Sequence, residues 1–218
     1  MKAKSHNLNH LDFVVQDLKG EKATCPKTII FCDSAYEACS VFYWLYESLG
    51  DLAFANTEEK TKNNLLIALF TAPSGATTKA LIVKEFRSIS SKCRVLVSTV
   101  AFGMGVDIPD IRRVIIWGMP KDVVTLWQEI GRAGRDQQSA IAYVFPFRPP
   151  LTFDNRQKIF QAEETCLRNL IMRSFHNCET YGSEDKEMCT YSCGDSCQCS
   201  HCTCCSFCIT KCPCRSSA

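Results

Sequence analysis

The chain reads as an α/β fold, a mostly parallel sheet with helices on both faces, followed by a small helical, cysteine-rich metal-binding subdomain. Three observations carry that reading. Short apolar runs recur at Thr28–Cys32, Leu65–Phe70, Val95–Val97, Val114–Trp117 and Ile141–Phe145. They lack the polar alternation of a half-solvated strand, as strands buried on both faces do. Segments of helical period separate them, the order that gives parallel strands joined by crossovers. Finally, of 16 cysteines only Cys25, Cys32, Cys39 and Cys93 are scattered, and the other twelve lie between Cys166 and Cys214.

Taken in order, Leu8, Leu11, Val15 and Leu18 recur at helical spacing, with Gly20 as the expected stop. The run Thr28–Cys32 is the first strand. Asp33 and Ser34 follow it, and both residue types cap helix N-termini, here for a helix from Ala35 to Leu49 closed by Gly50. Asp51 to Asn64 is polar and reads as a surface loop before the second strand, Leu65–Phe70. After the turn at Pro73-Ser74-Gly75 a helix is expected from about Thr77 to Ser88, with Leu81, Val83 and Phe86 inward. The last three runs are the remaining strands, with a helix from Val123 to Arg132 between the final two. In such sheets ligands bind beyond the carboxyl ends of the strands, so the motif residues are expected there. A boundary falls at Phe147-Arg148-Pro149-Pro150, dividing the chain into residues 1–148 and 149–218.

Hydrophobic residues at 46% and charged residues at 22% suit an ordinary globular protein. A net charge of +2 excludes a strongly basic footprint, so DNA binding by this chain alone should be weak and local. No apolar run reaches the ~18 residues of a membrane span. The opening Met1–Phe13 has two lysines with no apolar core behind them, so no secretory signal is expected. Metal binding is then the expected use of the cysteines, ahead of a disulfide framework.

Two stretches carry chemistry. Ser98-Thr99-Val100-Ala101-Phe102-Gly103-Met104-Gly105-Val106-Asp107-Ile108-Pro109 follows a strand directly. Gly103 and Gly105 allow backbone to approach a ligand closely, Thr99 can bond a phosphate, and Asp107 can accept from a ribose hydroxyl or from the neighbouring motif. Gln128-Glu129-Ile130-Gly131-Arg132-Ala133-Gly134-Arg135-Asp136 ends a helix and sets Arg132 and Arg135 three residues apart. Two guanidiniums at that spacing can converge on one anion. The plain alternatives are a tight turn without a ligand and two surface arginines bonded to Glu129, Asp136 or helix-end carbonyls.

With those stretches quoted, residues from about Leu8 to Phe145 resemble the second RecA-like lobe of a RecQ-family ATP-dependent DNA helicase. KTIIFCDS at Lys27 to Ser34 is similar to that family's motif IV, STVAFGMGVDIPDI to motif V and QEIGRAGRD to motif VI. The resemblance implies that Arg132 and Arg135 sense the γ-phosphate of ATP, with Arg135 as the finger. It places Gln128, Gly105 and Asp107 with them at the nucleotide, and Ser34 and Thr99 near the DNA backbone. It also implies 3′–5′ DNA unwinding in recombination, repair and replication, with a nuclear or chromosomal location and DNA, as a single strand or junction, for a partner. Two positions depart from the family pattern. Gln137 stands where the family usually has glycine, and Thr71 where it often has histidine.

The tail fits the same family. Cys166 is followed by Leu170, Ile171 and Phe175 at helical spacing, and resembles the first ligand of the RecQ zinc site. Cys202, Cys205 and Cys208 have the family's C-x₂-C-x₂-C spacing for the other three. Four thiolates about one Zn²⁺ form a closed structural site. The gap from Cys166 to Cys202 is longer than the family's, and Cys199, Cys202, Cys205 and Cys208 recur at every third residue. Another ligand set, a second metal, a thiolate cluster and plain cysteine-rich disorder therefore stay open. His6, His10 and His176 are not expected as ligands, and His201 is close enough to be the exception.

A helicase motor also needs a phosphate-cradling P-loop and an acidic motif for Mg²⁺, and neither sequence occurs in these 218 residues. ATP and Mg²⁺ are thus expected only if a first RecA-like lobe completes the site, as a separate protein could in trans. Two other readings stand beside a half motor: a non-enzymatic DNA- or partner-binding module, and a metal-binding protein acting through its tail. That tail, from 151 onward, has seven Lys+Arg against eight Asp+Glu and is a poor phosphate tracker.

Overall fold

The sheet forms because five segments have apolar side chains on both faces and each is returned to the same edge by a crossover. The computed structural model describes residues 7–99, 107–118, 122–147, 168, 171, 175 and 206–211. Strands β1 (Lys27–Cys32), β2 (Ile67–Phe70), β3 (Val95–Thr99), β4 (Ile111–Trp117) and β5 (Ile141–Phe145) stand in the order β2-β3-β1-β4-β5. Every pairing is parallel. Central β1 is buried along its whole length.

Helices α1 (Asp12–Glu21) and α2 (Ala35–Leu49) share one core with the sheet. Leu11, Val14, Val15, Leu18, Ala38, Val41, Leu45 and Leu49 meet Ile30, Cys32, Val95, Val97, Ile115 and Trp117 there. Residues of opposite parity, Ile29, Phe31, Leu96, Val114 and Ile116, are buried too. Helices α3 (Ala76–Arg87) and α4 (Val123–Ile130) complete the unit. The chain divides into compact units Met1–Arg148 and Pro149–Ala218, and the second contains a six-residue helix, Ser206–Lys211.

Several expected bounds move, each for a local reason. The first helix runs through Gly20 and stops at Lys22, whose φ is 48°. β2 starts at Ile67, because Leu65 is bridged antiparallel to Phe54. Ala53 and Phe54, inside the expected surface loop, are therefore buried. β4 starts three residues earlier than its apolar run, since Arg112 and Arg113 pair with Asp136 and Asp17 and so fit a strand. The fourth helix ends at Ile130, before the arginines. Leu81 points outward, 56% exposed, and only Phe86 of α3 is buried.

Candidate functional site

Ser34 and Thr99 come together at the carboxyl ends of neighbouring strands. Thr99, the last residue of β3, is in register with Cys32, the last of β1. Ser34 follows two residues later, and its hydroxyl caps α2 by accepting from the Glu37 amide at 3.1 Å. Behind them the Ser98 hydroxyl donates to the Phe70 carbonyl at 2.9 Å, tying β3 to β2. Beside them the chain leaves β4 at Gly118, whose φ is 116°. A Cβ there would lie 2.6 Å from Asp33 Oδ2, so this turn requires glycine on both counts.

The arginines lie elsewhere. Helix α4, capped by the Asp122 carboxylate on the Thr125 amide at 2.6 Å, returns toward the amino ends of the strands. The loop after it docks there: the Gly134 amide donates to the Ile111 carbonyl at 3.0 Å, and the Asp136 amide to the Pro109 carbonyl at 3.4 Å. Arg112 of β4 grips both Asp136 oxygens with its two terminal nitrogens, Nη1 to Oδ1 at 3.0 Å. That guanidinium holds the Asp136 carboxyl below the usual carboxylate range. Gly134 has φ 65°, and a Cβ on it would meet the Gln138 carbonyl at 2.8 Å.

On this loop Arg135 donates from Nη1 to Asp107 Oδ1 at 2.7 Å and from Nε to the Gly131 carbonyl at 3.2 Å. Arg132 sits with them. Its pKa is lowered first by burial and then by the like charge of Arg135, with Asp107 opposing the shift. The group is thus two guanidiniums and one carboxylate, with both partners of the ion pair partly open to solvent. An exposed pair of this kind is worth about 0–1 kcal/mol, so an incoming phosphate can take the guanidinium at little cost. The expectation that all motif residues gather at the carboxyl ends is corrected: Asp107, Arg132 and Arg135 surround the amino end of β4. The reason is directional, since a returning helix ends at the amino edge of the sheet, and Asp107 lies in the segment that leads into the amino end of β4.

Gln128 is exposed on α4, four residues before Arg132. Gly105, Cys166, Cys202 and Cys205 lie outside the described residues. Cys208 is half-buried, the third residue of the helix Ser206–Lys211. Among the described residues no group of three or more metal-binding side chains is placed to hold an ion. No described helix is long and apolar enough to cross a membrane.

Two features escaped the sequence reading. Glu129 is 5% exposed, and burial, followed by the charges of Asp33 and Asp122, pushes its carboxyl up to about 8. The signal was its place three residues after Leu126, on the buried side of α4. Lys27 is also buried, with Nζ 2.8 Å from Asp110 and 3.0 Å from the Ser88 carbonyl.

Sheet, crossovers and edge loops together make this a RecA-like α/β lobe. Among solved structures it resembles the DUF1998 helicase MrfA bound to DNA and AMPPNP, with TM-score 0.56, 19% identity, and coverage of 79% of this chain and 21% of that one. Residues 8–137 match the helicase conserved C-terminal domain, and the chain belongs to that family. Its curated relatives include the ATP-dependent DNA helicase Q1 of Pongo abelii, 37% identical over 49% of this chain and 19% of the relative. The probable ATP-dependent DNA helicase RecS of Bacillus subtilis is 33% identical over 57% of this chain and 23% of the relative. The match spans less than a quarter of either relative's length.

Proposed function

We propose that the chain serves as the second motor lobe of an ATP-dependent 3′–5′ DNA helicase of the RecQ type. The observation that carries this is the Asp107–Arg135 ion pair with Arg132 beside it, on a loop fastened to β4. In this reading the γ-phosphate displaces Asp107 from Arg135, and Asp107 turns to the ribose. Both guanidiniums then offset the charge that develops as the phosphoryl group transfers, with Arg135 as the finger. Gln128 and Gly105 line the same nucleotide. Ser34 and Thr99, at the other end of the sheet, contact the backbone of the DNA strand.

The P-loop and the acidic Mg²⁺ motif are missing from these 218 residues, so a first lobe must supply them. The purified chain is accordingly inactive by itself. The test is DNA-stimulated ATP hydrolysis, measured for the chain alone and with the first motor lobe of a RecQ-type helicase added as a separate protein. Activity should need both proteins, and Arg135→Ala should lower it by roughly 10³–10⁵-fold. ATPase from the chain alone that Arg135→Ala abolishes would sink the half-motor reading.

We further propose one structural Zn²⁺ on Cys166, Cys202, Cys205 and Cys208. Its support is the spacing of the thiols and their resemblance to the family's site. The ion would fold the second unit and take no part in hydrolysis.

A further inference from the structure

We propose that the outer face of α3 is a docking groove for an acidic amphipathic helix of a partner protein. The groove is open, about 620 Å³ in volume, and lined by Lys79, Ala80, Val83, Lys84, Arg87 and Ser88. These residues form two neighbouring rows, Lys79, Val83 and Arg87 in one and Ala80, Lys84 and Ser88 in the other. Each row is about 12 Å long at the helical rise. Three cations thus surround a floor of Ala80 and Val83. Leu81, three residues before Lys84, is 56% exposed, and Ile89, just after Ser88, is 88% exposed. Together they extend the apolar floor into a patch larger than a single stray side chain.

The protein's own acids do not neutralise these cations. Among the described residues, Lys84 and Arg87 have neither an ion-pair nor a hydrogen-bond partner, and both are exposed. Lys79 donates to the Ala72 carbonyl at 2.8 Å and lies 5.8 Å from the centre of the Phe70 ring. That holds its ammonium at one end of the groove with further protons to donate. Glu85, the one carboxylate of α3, is not among the lining residues. From Ala76 to Arg94 the sequence has five lysines and arginines against that single acid, in a chain of net charge +2. Positive charge is therefore concentrated here and is no average property of the surface.

Charge and apolar surface together select the occupant. Carboxylates on a partner pair with Lys79, Lys84 and Arg87, and apolar side chains on it cover Ala80, Leu81, Val83 and Ile89. An amphipathic helix supplies both at one spacing. Nucleic-acid phosphates would meet the cations but leave the apolar side chains uncovered. Position argues the same way. The Ser88 carbonyl accepts from Lys27, at the amino end of β1, at 3.0 Å. The Arg87 end of the groove is therefore at the opposite edge of the sheet from Ser34 and Thr99. An acidic protein helix fits this face better than a DNA strand does.

The test is fluorescence anisotropy on the purified full chain. One probe is a labelled amphipathic peptide of roughly 16 residues, long enough to span the groove, with glutamates along one side and leucines along the other. A second has glutamine for each glutamate, and a third is labelled oligothymidylate. The glutamate peptide should bind the parent roughly tenfold or more tighter than it binds Lys84→Glu/Arg87→Glu, and tighter by a similar factor than the glutamine peptide binds. Leu81→Ser/Ile89→Ser should weaken it about threefold or more. The loop control Lys60→Glu/Lys62→Glu, with the same change in net charge, should match the parent. Circular dichroism of each variant separates lost docking from lost folding. Lys84→Gln/Arg87→Gln repeats the test without adding acids beside Glu85. Equal affinity of the glutamate peptide for the parent and the Lys84/Arg87 variants overturns the proposal, as does an equal loss in the loop control. So does oligothymidylate binding that the Lys84/Arg87 substitutions remove, which would make this face a nucleic-acid surface.

Discussion

Gln137 shows how much one backbone angle can reveal. Its φ is 66°, and its amide donates to the Gly134 carbonyl at 3.0 Å as the arginine loop turns back toward β5. A left-handed conformation costs a side-chain-bearing residue roughly 1–2 kcal/mol. Glycine avoids that cost but loses roughly 0.5–1 kcal/mol through the greater freedom of its unfolded chain. The balance favours glycine, so Gln137→Gly should stabilise the protein by about 0.5–1 kcal/mol in urea denaturation. The departure from the family pattern was visible in the sequence; its meaning was not, until the angle was known. Glu129 is the converse case. Its carboxyl, ordinarily near 4.5, titrates at about 8 in the folded chain. Between those values the native state holds a proton that the unfolded state has released. Stability is therefore greatest below about 4.5 and falls as pH rises through about 8. Glu129→Gln should remove that slope and raise stability at pH 8 by roughly 1–3 kcal/mol, with little change at pH 4. Thermal melts of both proteins across this range check it, and parallel pH profiles would contradict it.

Elements were legible where burial alone decides, and less so where a charge is paired. All five strands could be read from apolar runs, since a strand covered on both faces needs little else. The start of β4 could not, because Arg112 and Arg113 belong in a strand only once Asp136 and Asp17 are known to face them. Lys27 presents the same difficulty at the start of β1. Its ammonium is almost wholly buried, lies over the Phe86 ring, and joins Asp110 to the Ser88 carbonyl at the end of α3. Three segments distant in sequence thus meet at one charge. Removing Asp110 leaves that charge buried without its counter-ion, which costs about 3–5 kcal/mol. Asp110→Ala should therefore destabilise the protein strongly, while Lys27→Met/Asp110→Ala should recover most of the loss. A double-mutant cycle by chemical denaturation measures the coupling, and simple additivity would show that the pair contributes little. The candidate site divides the same way. Its residues could be named from three motifs, but their split between opposite ends of the sheet depends on helix direction, which no motif records.

For the whole molecule, the separation into Met1–Arg148 and Pro149–Ala218 makes metal loading a test of one unit without the other. The first unit has a continuous apolar core of its own, so it should keep its fold when metal is removed. The second has twelve of the sixteen cysteines, and a structural Zn²⁺ typically supplies an apparent ~10–16 kcal/mol of folding energy to small domains of that kind. Its thiolates must be deprotonated to bind, so acid should release the ion along with chelators. Native mass spectrometry of protein purified with zinc should find one ion per chain, and Cys208→Ser should lower its retention at least tenfold. Chelation should then collapse amide protection in the second unit alone, with exchange in β1, β3 and β4 unchanged. A metal-free tail that keeps its protection would end the zinc reading. A loss of protection in both units would instead show that the arginine lobe draws its stability from the metal despite its own buried core.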